Sequence, residues 1–241
     1  MCTSFVYRKD RVLVGMNFDN DGKKYKISDD NGKGFLLSVK IGARFLPSIG
    51  VNSTGIFVND QMVDPNGKGV YKRQNDKRWV TSTLVDNILK TNINFEEITT
   101  KIKQIEIVNV PKSSTHNLIV DKSGHICVVE PGSKNIISKK DETDWFALTN
   151  FPISEYNEIL PKKVSGSGSN RYIQALKLFE EMKGQITVDV GFDILKNLQQ
   201  IGPDWITELS IIYDATSQEL YYCQHRNFED ITKISLGYSS S

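Results

Sequence analysis

Short apolar runs paired across tight turns constrain this fold most. HNLIV (116–120) and HICVVE (125–130) are joined by DKSG, and SIIYD (210–214) and ELYYCQ (219–224) by ATSQ. Each is a strand–turn–strand signal, because Gly, Asp and Ser reverse the chain while β-branched and aromatic residues favour a pleated surface. The start of the chain repeats the device: Thr3–Tyr7 and Arg11–Phe18 flank the charged turn Arg8-Lys9-Asp10. A turn at NGKG (31–34) precedes the strand-like FLLSVK, and the small-residue turn Asn52–Gly55 precedes Ile56–Val63.

Helical periodicity is confined to the interior of the sequence. Val80, Leu84, Val85, Ile88 and Leu89 form one apolar stripe; Asn94 caps a second segment carrying Ile98, Ile102 and Ile105. Asn170 is placed to cap RYIQALKLFEEMK, with Gly184 as its stop, and FDILKNLQQ ends before Gly202-Pro203. Hairpins at both ends with helices between them predict one α+β domain over residues 1–241, its sheet mainly antiparallel. GSGS (166–169) follows no clear strand and lacks a P-loop lysine, so it reads as a flexible loop.

The bulk composition removes several function classes. Thirty Lys+Arg against 29 Asp+Glu give a net charge of +1, which supplies no field for nucleic acid. No apolar run approaches the ~18 residues of a membrane span, and Arg8 to Arg11 interrupt any leader-like stretch, so a cytoplasmic protein is expected. Three cysteines and three histidines lack metal-ligand spacing, and neither a metal nor a cofactor is expected. His116 and His125 read as strand-end residues.

Cys2 is the residue with chemistry to offer. If Met1 is removed, one residue carries both a thiol and an α-amine whose ordinary pKa of about 7.7–8.0 leaves it partly neutral near pH 7. Nucleophile and base then share a residue, as they do where an N-terminal threonine attacks with its own amine. A strand from Cys2 and a returning strand through GMNFD (15–19) would carry Asp19 back to that amine. Arg171 lies in the first turn of its helix, where the macrodipole disfavours a cation; taken alone it reads as a solvated arginine, with a directed role left open.

MCT at the start and GMNFD together resemble the choloylglycine hydrolase and penicillin V acylase family of N-terminal-nucleophile hydrolases. ALTNFP (147–152) is similar to that family's LTNxP segment and SGSNRYIQA (165–) to its active-site arginine segment; TELSIIYDATSQELYY resembles its terminal hairpin. The resemblance implies a four-layer αββα fold of two stacked, mainly antiparallel sheets. It also implies an amidohydrolase of linear amides working through an S-acyl-enzyme on a small-molecule N-acyl amide, such as a conjugated bile salt, a penicillin V-like compound or a fatty acyl amide. Cys2 would be the nucleophile, Asp19 the orienting carboxylate, Asn150 an oxyanion donor and Arg171 the site's cation. Asn59 is assigned to the second oxyanion contact, with Gln61 or Met62 as neighbours in that role. Met16 stands where the family carries arginine, as a pocket or a core residue. An acyltransferase using the same acyl-enzyme and a catalytically weak ligand-binding relative therefore stay open, as does a homo-oligomer.

Overall fold

A computed structural model of the chain describes residues 1–29, 34–182 and 185–237. Most of the expected NGKG turn (31–33) and the expected helix stop Gly184 lie outside the described residues. One six-stranded sheet runs from edge to edge as β12 (Trp145–Leu148), β1 (Thr3–Tyr7), β2 (Leu13–Asn20), β13 (Ile206–Asp214), β14 (Glu219–Gln224) and β15 (Thr232–Ser235). A seven-stranded sheet runs as β11 (Ile136–Ser138), β10 (Ile126–Val129), β9 (Thr115–Val120), β6 (Phe57–Met62), β5 (Arg44–Val51), β4 (Phe35–Ile41) and β3 (Tyr25–Asp29). Every pairing within these two sheets is antiparallel; only the short β7 (Arg78–Val80) and β8 (Glu106–Val108) pair in parallel.

Helices α3 (Ser169–Glu181) and α4 (Val188–Asn197) cover the outer face of the six-stranded sheet, against β1, β2, β12 and β13. Helix α1 (Thr81–Lys90) lies on β5, β6 and β9, and α2 (Phe95–Gln104) adds Ile98 and Ile102 to the same apolar cluster. The result is the expected αββα stack. Asn94 caps α2 as predicted, with a full capping box to Glu97. Helix α3 starts one residue before Asn170, behind a left-handed Gly168, so Asn170 is not its cap.

Every residue of β1 and β2 is buried, on both faces of the sheet, so their apolar residues do not alternate with exposed polar ones. Gly15 and Phe5 are opposed across that pair, and Phe5 meets Phe179 of α3 edge-on. A Cβ on Gly15 would stand 2.1 Å from the Phe5 ring, so glycine is what lets that ring lie flat on the strand. Arg8, expected in a solvated turn, is instead fully buried. Its guanidinium donates to the carbonyls of Thr143 (2.7 Å), Gly124 (3.0 Å) and Ser138 (3.2 Å) and to the hydroxyls of Ser138 (2.6 Å) and Thr143 (3.1 Å). From the end of β1, Arg8 thus ties the turn after β9 and the end of β11 to the segment entering β12.

At the start of α1, Val80 provides no side-chain cap and the first turn holds no acid. Asp60 of β6 fills that place, accepting a bond from Thr81 Oγ1 at 3.4 Å. Burial pushes the Asp60 carboxyl up to about 7, against the bonds from Thr115, Thr81 and Asn117.

Two outcomes follow for stability. Gly15→Ala is expected to lower unfolding free energy by about 2–3 kcal/mol, read from denaturant midpoints, because the Phe5 ring must move off the strand. For Asp60, the folded-state pKa lies above the roughly 3.9 of an unfolded chain. Its contribution is therefore present in full below about pH 4 and lost as pH rises through about 7. Asp60→Asn, neutral throughout, should gain on the wild type between those limits; an identical stability difference at about pH 4 and pH 8 would exclude this account.

Candidate active site

Strand register alone brings the first site residues together. On β1, Ser4 faces Met16 of β2 on one side and Leu148 of β12 on the other. Two residues further toward the chain start, the same registers set Cys2 between Phe18 and Asn150, with Asp19 one residue on. Cys2 is 6% exposed, and with Phe18, Asp19, Val39, Leu46 and Met62 it lines a cavity of about 530 Å³.

Arg171 gathers these residues from the first turn of α3. Its Nη1 donates to the Cys2 carbonyl (3.0 Å), the Thr3 hydroxyl and Asp19 Oδ2 (3.4 Å), and its Nη2 to Asn150 Oδ1 (2.7 Å). The approach depends on the preceding GSGS segment, which is packed against the site rather than free. Gly166 and Gly168 have φ of +104° and +75°, and a Cβ on Gly168 would come within 2.9 Å of Arg171 Nη2 and 3.1 Å of Asn150 Oδ1. The flexible-loop expectation is thus corrected: the small residues are there for close approach. Ser167 is further tied by its backbone N–H to Asp64 Oδ2 at 2.6 Å.

Asp19 is buried among donors. Thr207 Oγ1 reaches its Oδ1 at 2.6 Å and Gln200 Nε2 its Oδ2 at 3.1 Å, besides Arg171. Burial raises the Asp19 carboxyl, while Arg171, Thr207 and the terminal ammonium pull against it. Burial likewise pushes the Cys2 thiol up, and the terminal ammonium draws it back. The α-amine of Met1 is 3.3 Å from the Asp19 carbonyl, continuing the β1–β2 ladder, and burial lowers its pKa below 8.0. The thiol itself lies 3.9 Å from that same carbonyl.

Asn150 is held on three sides. Besides Arg171, its Nδ2 donates to the Met62 carbonyl at 2.6 Å, and its own carbonyl accepts from Asp64 N–H at 2.6 Å. Among the described residues the second N–H of its amide has no acceptor. Asn59 is not brought to this cluster. It is fully buried between the sheets, where its Nδ2 lies 3.0 Å from Ser4 Oγ, 3.3 Å from Met16 Sδ and 3.4 Å from Gln61 Oε1. Position along β6, not the face of the strand, explains the difference: Asn59 shares a face with Gln61 but is met before the strand reaches the cavity, whereas Asp60, Gln61 and Met62 lie in the cavity wall. Met16 is fully buried on the same inner face and lines no part of the cavity, which makes it a core residue.

Sequence reasoning missed Thr207 and Gln200, which have no local signature, and it misread His116. That ring is fully buried, with Nδ1 3.0 Å from Glu130 Oε1 and Nε2 2.9 Å from the Thr149 carbonyl. Burial raises the other two cysteines as it does Cys2, Cys127 up to about 12 and Cys223 up to about 11; what sets Cys2 apart is its place in the cavity wall. Among the described residues, no three His, Cys, Asp or Glu side chains converge on a metal position.

Comparison with solved structures places this geometry in context. The chain superposes on a cysteine-to-alanine variant of conjugated bile acid hydrolase from Clostridium perfringens with a TM-score of 0.72 at 16% identity, over 98% of this chain and 92% of that one. Penicillin V acylase from Agrobacterium tumefaciens gives 0.65 at 14% identity, over 98% and 92%. The Caenorhabditis elegans ortholog of N-acylethanolamine-hydrolyzing acid amidase gives 0.58 at 12%, over 89% and 93%. No family model and no curated protein sequence matches the chain. At these identities the likeness is one of architecture: this chain has the four-layer fold of the N-terminal-nucleophile hydrolases.

Proposed function

We propose that the chain is an amidohydrolase that cleaves linear N-acyl amides with Cys2 as nucleophile. The observation that carries this reading is the reach of Arg171, which bonds the Cys2 carbonyl, Asp19 and Asn150 from one guanidinium behind a cavity that Cys2 and Asp19 line. Removal of Met1 transfers the α-amine to Cys2. That amine takes the thiol proton, and the thiolate adds to the substrate carbonyl carbon. The oxyanion formed accepts the second N–H of Asn150, whose first N–H and carbonyl oxygen are already fixed by Met62 and Arg171. The C–N bond then breaks, with the departing amine taking the proton from the Cys2 ammonium. Water attacks the resulting thioester, releasing the acid and restoring the thiol.

Asp19 does not act as the base in this scheme. Its two oxygens are bonded by Thr207, Gln200 and Arg171, so it serves as a fixed anion that holds the guanidinium and the chain start in place. The cavity favours an apolar acyl group, since Phe18, Val39, Ile41, Leu46 and Met62 line it. The bile acid hydrolase, penicillin V acylase and acid amidase of the same fold support a small amide as substrate. With Met16 in the core, Arg171 is the cation that remains at the nucleophile. Transfer of the acyl group to an added amine, rather than to water, is the outcome that would mark an acyltransferase.

Purified protein should show Met1 removed by intact mass. Across conjugated bile salts, penicillin V, acyl-homoserine lactones and fatty acyl amides, Cys2→Ala should abolish turnover of whichever substrate the wild type cleaves, by about 10³-fold or more. Wild-type turnover in that variant would eliminate the proposal. Asn150→Ala should lower kcat by about 10²–10³-fold with little change in KM, the signature of a donor used in the transition state.

A further inference from the structure

The buried pair His116 and Glu130 has no part in the steps above, yet it grips both ends of the segment that carries Asn150. His116 Nε2 lies 2.9 Å from the carbonyl of Thr149, the residue just before Asn150. Glu130 accepts the backbone N–H groups of Ile153 at 2.9 Å and Ser154 at 3.0 Å, just after Phe151-Pro152. Imidazole and carboxylate are joined to each other at 3.0 Å, so one side-chain unit spans the segment. Gln61 Nε2 adds a second bond to the Thr149 carbonyl at 2.5 Å. His116 stands on β9, Gln61 on β6 and Glu130 just after β10, all in the seven-stranded sheet, whereas the segment leaves β12 of the six-stranded sheet.

The Thr149 carbonyl can only accept, so Nε2 donates to it, and Nδ1 faces a carboxylate oxygen that also accepts the Ile153 N–H. The pair is buried at 0% and 4% exposure. Burial raises the Glu130 carboxyl, but the bonds from His116 and Ser154 outweigh it and hold Glu130 below the usual carboxylate range. A neutral apolar pair would fill the same space at less desolvation cost, so the arrangement is explained by what it orients.

We infer that His116 and Glu130 are positioning residues: together they hold the Thr149–Ser154 segment so that the Asn150 amide points at the oxyanion. The inference rests on the role given to Asn150 above. It differs from a plain stability role in one respect, since its effect on turnover must pass through Asn150.

A double-mutant cycle tests that route. In otherwise wild-type protein, His116→Phe and His116→Gln are each expected to lower kcat by up to about 10²-fold with KM little changed, as a misplaced donor does. Glu130→Gln, which keeps one acceptor oxygen where the carboxylate has two for the Ile153 and Ser154 amides, should stay nearer to wild type than Glu130→Ala. In an Asn150→Ala background the His116 substitutions should cost less than about threefold further. Losses that add in full, or a raised KM with unchanged kcat, would overturn the inference; the glutamine variant keeps the test available if phenylalanine prevents folding. A second readout needs no substrate. Amide hydrogen exchange at Ile153 and Ser154 should accelerate at least about tenfold in Glu130→Ala, with exchange in β1 and β2 unchanged. If the wild type cleaves none of the amides offered, the proposed function fails on its own, and the exchange result alone decides whether the clamp exists.

Discussion

A guanidinium taken out of water is the constraint on which this site depends. Arg171 is 5% exposed, and its charge faces Asp19 across 3.4 Å in a setting where neither group is solvated. Such a pair is costly to assemble and stable only when every donor and acceptor is used. Here Nη1 is shared among Asp19, the Cys2 carbonyl and Thr3, Nη2 goes to Asn150, and the carboxylate also accepts from Thr207 and Gln200. The geometry of the proposed site and the satisfaction of a buried charge are thus the same set of bonds. Displacing one member leaves an ion without a partner, which makes the site rigid where the chemistry requires it.

The rest of the fold serves to deliver these partners. Asp19 stands on β2, Cys2 directly before β1 and Asn150 two residues past β12, so neighbouring strands of one sheet, near 4.8 Å apart, deliver the three to the same end. Arg171 comes from the helix layer on the outer face, and Gly168 makes that close approach sterically possible. The second sheet contributes the cavity wall and, through Met62 and Gln61, anchors for the Asn150 segment. Catalytic groups on strands and helices are more tightly placed than groups on loops.

The hairpins and helix stripes were legible because their signals are local. Thr3–Tyr7, the DKSG and ATSQ turns and the Asn94 cap are each readable within a few residues. The short, mixed β3 and β5 were not, since their pairing with β4 is a tertiary property. At the site, Cys2 and Asp19 could be joined by counting back along a hairpin, whereas Asn150 and Arg171 required a resemblance. Asn59 and His116 show where such reading stops. One looked like an oxyanion donor and lies in the core; the other looked like an ordinary strand end and is wired to Asn150 through Thr149. Which face of a strand a polar residue occupies, and what meets it there, is decided by partners far away in sequence.

Arg8 shows the opposite solution to burying a cation. Its five bonds go to carbonyl and hydroxyl oxygens, none of which takes up a proton in mildly acid solution. The bonds it makes to β11 and to the segment entering β12 therefore keep their acceptors in mildly acid solution, whereas the Arg171 cluster loses its anion once Asp19 is protonated. Acid would thus strip the charge from one fastening and leave the oxygens of the other in place.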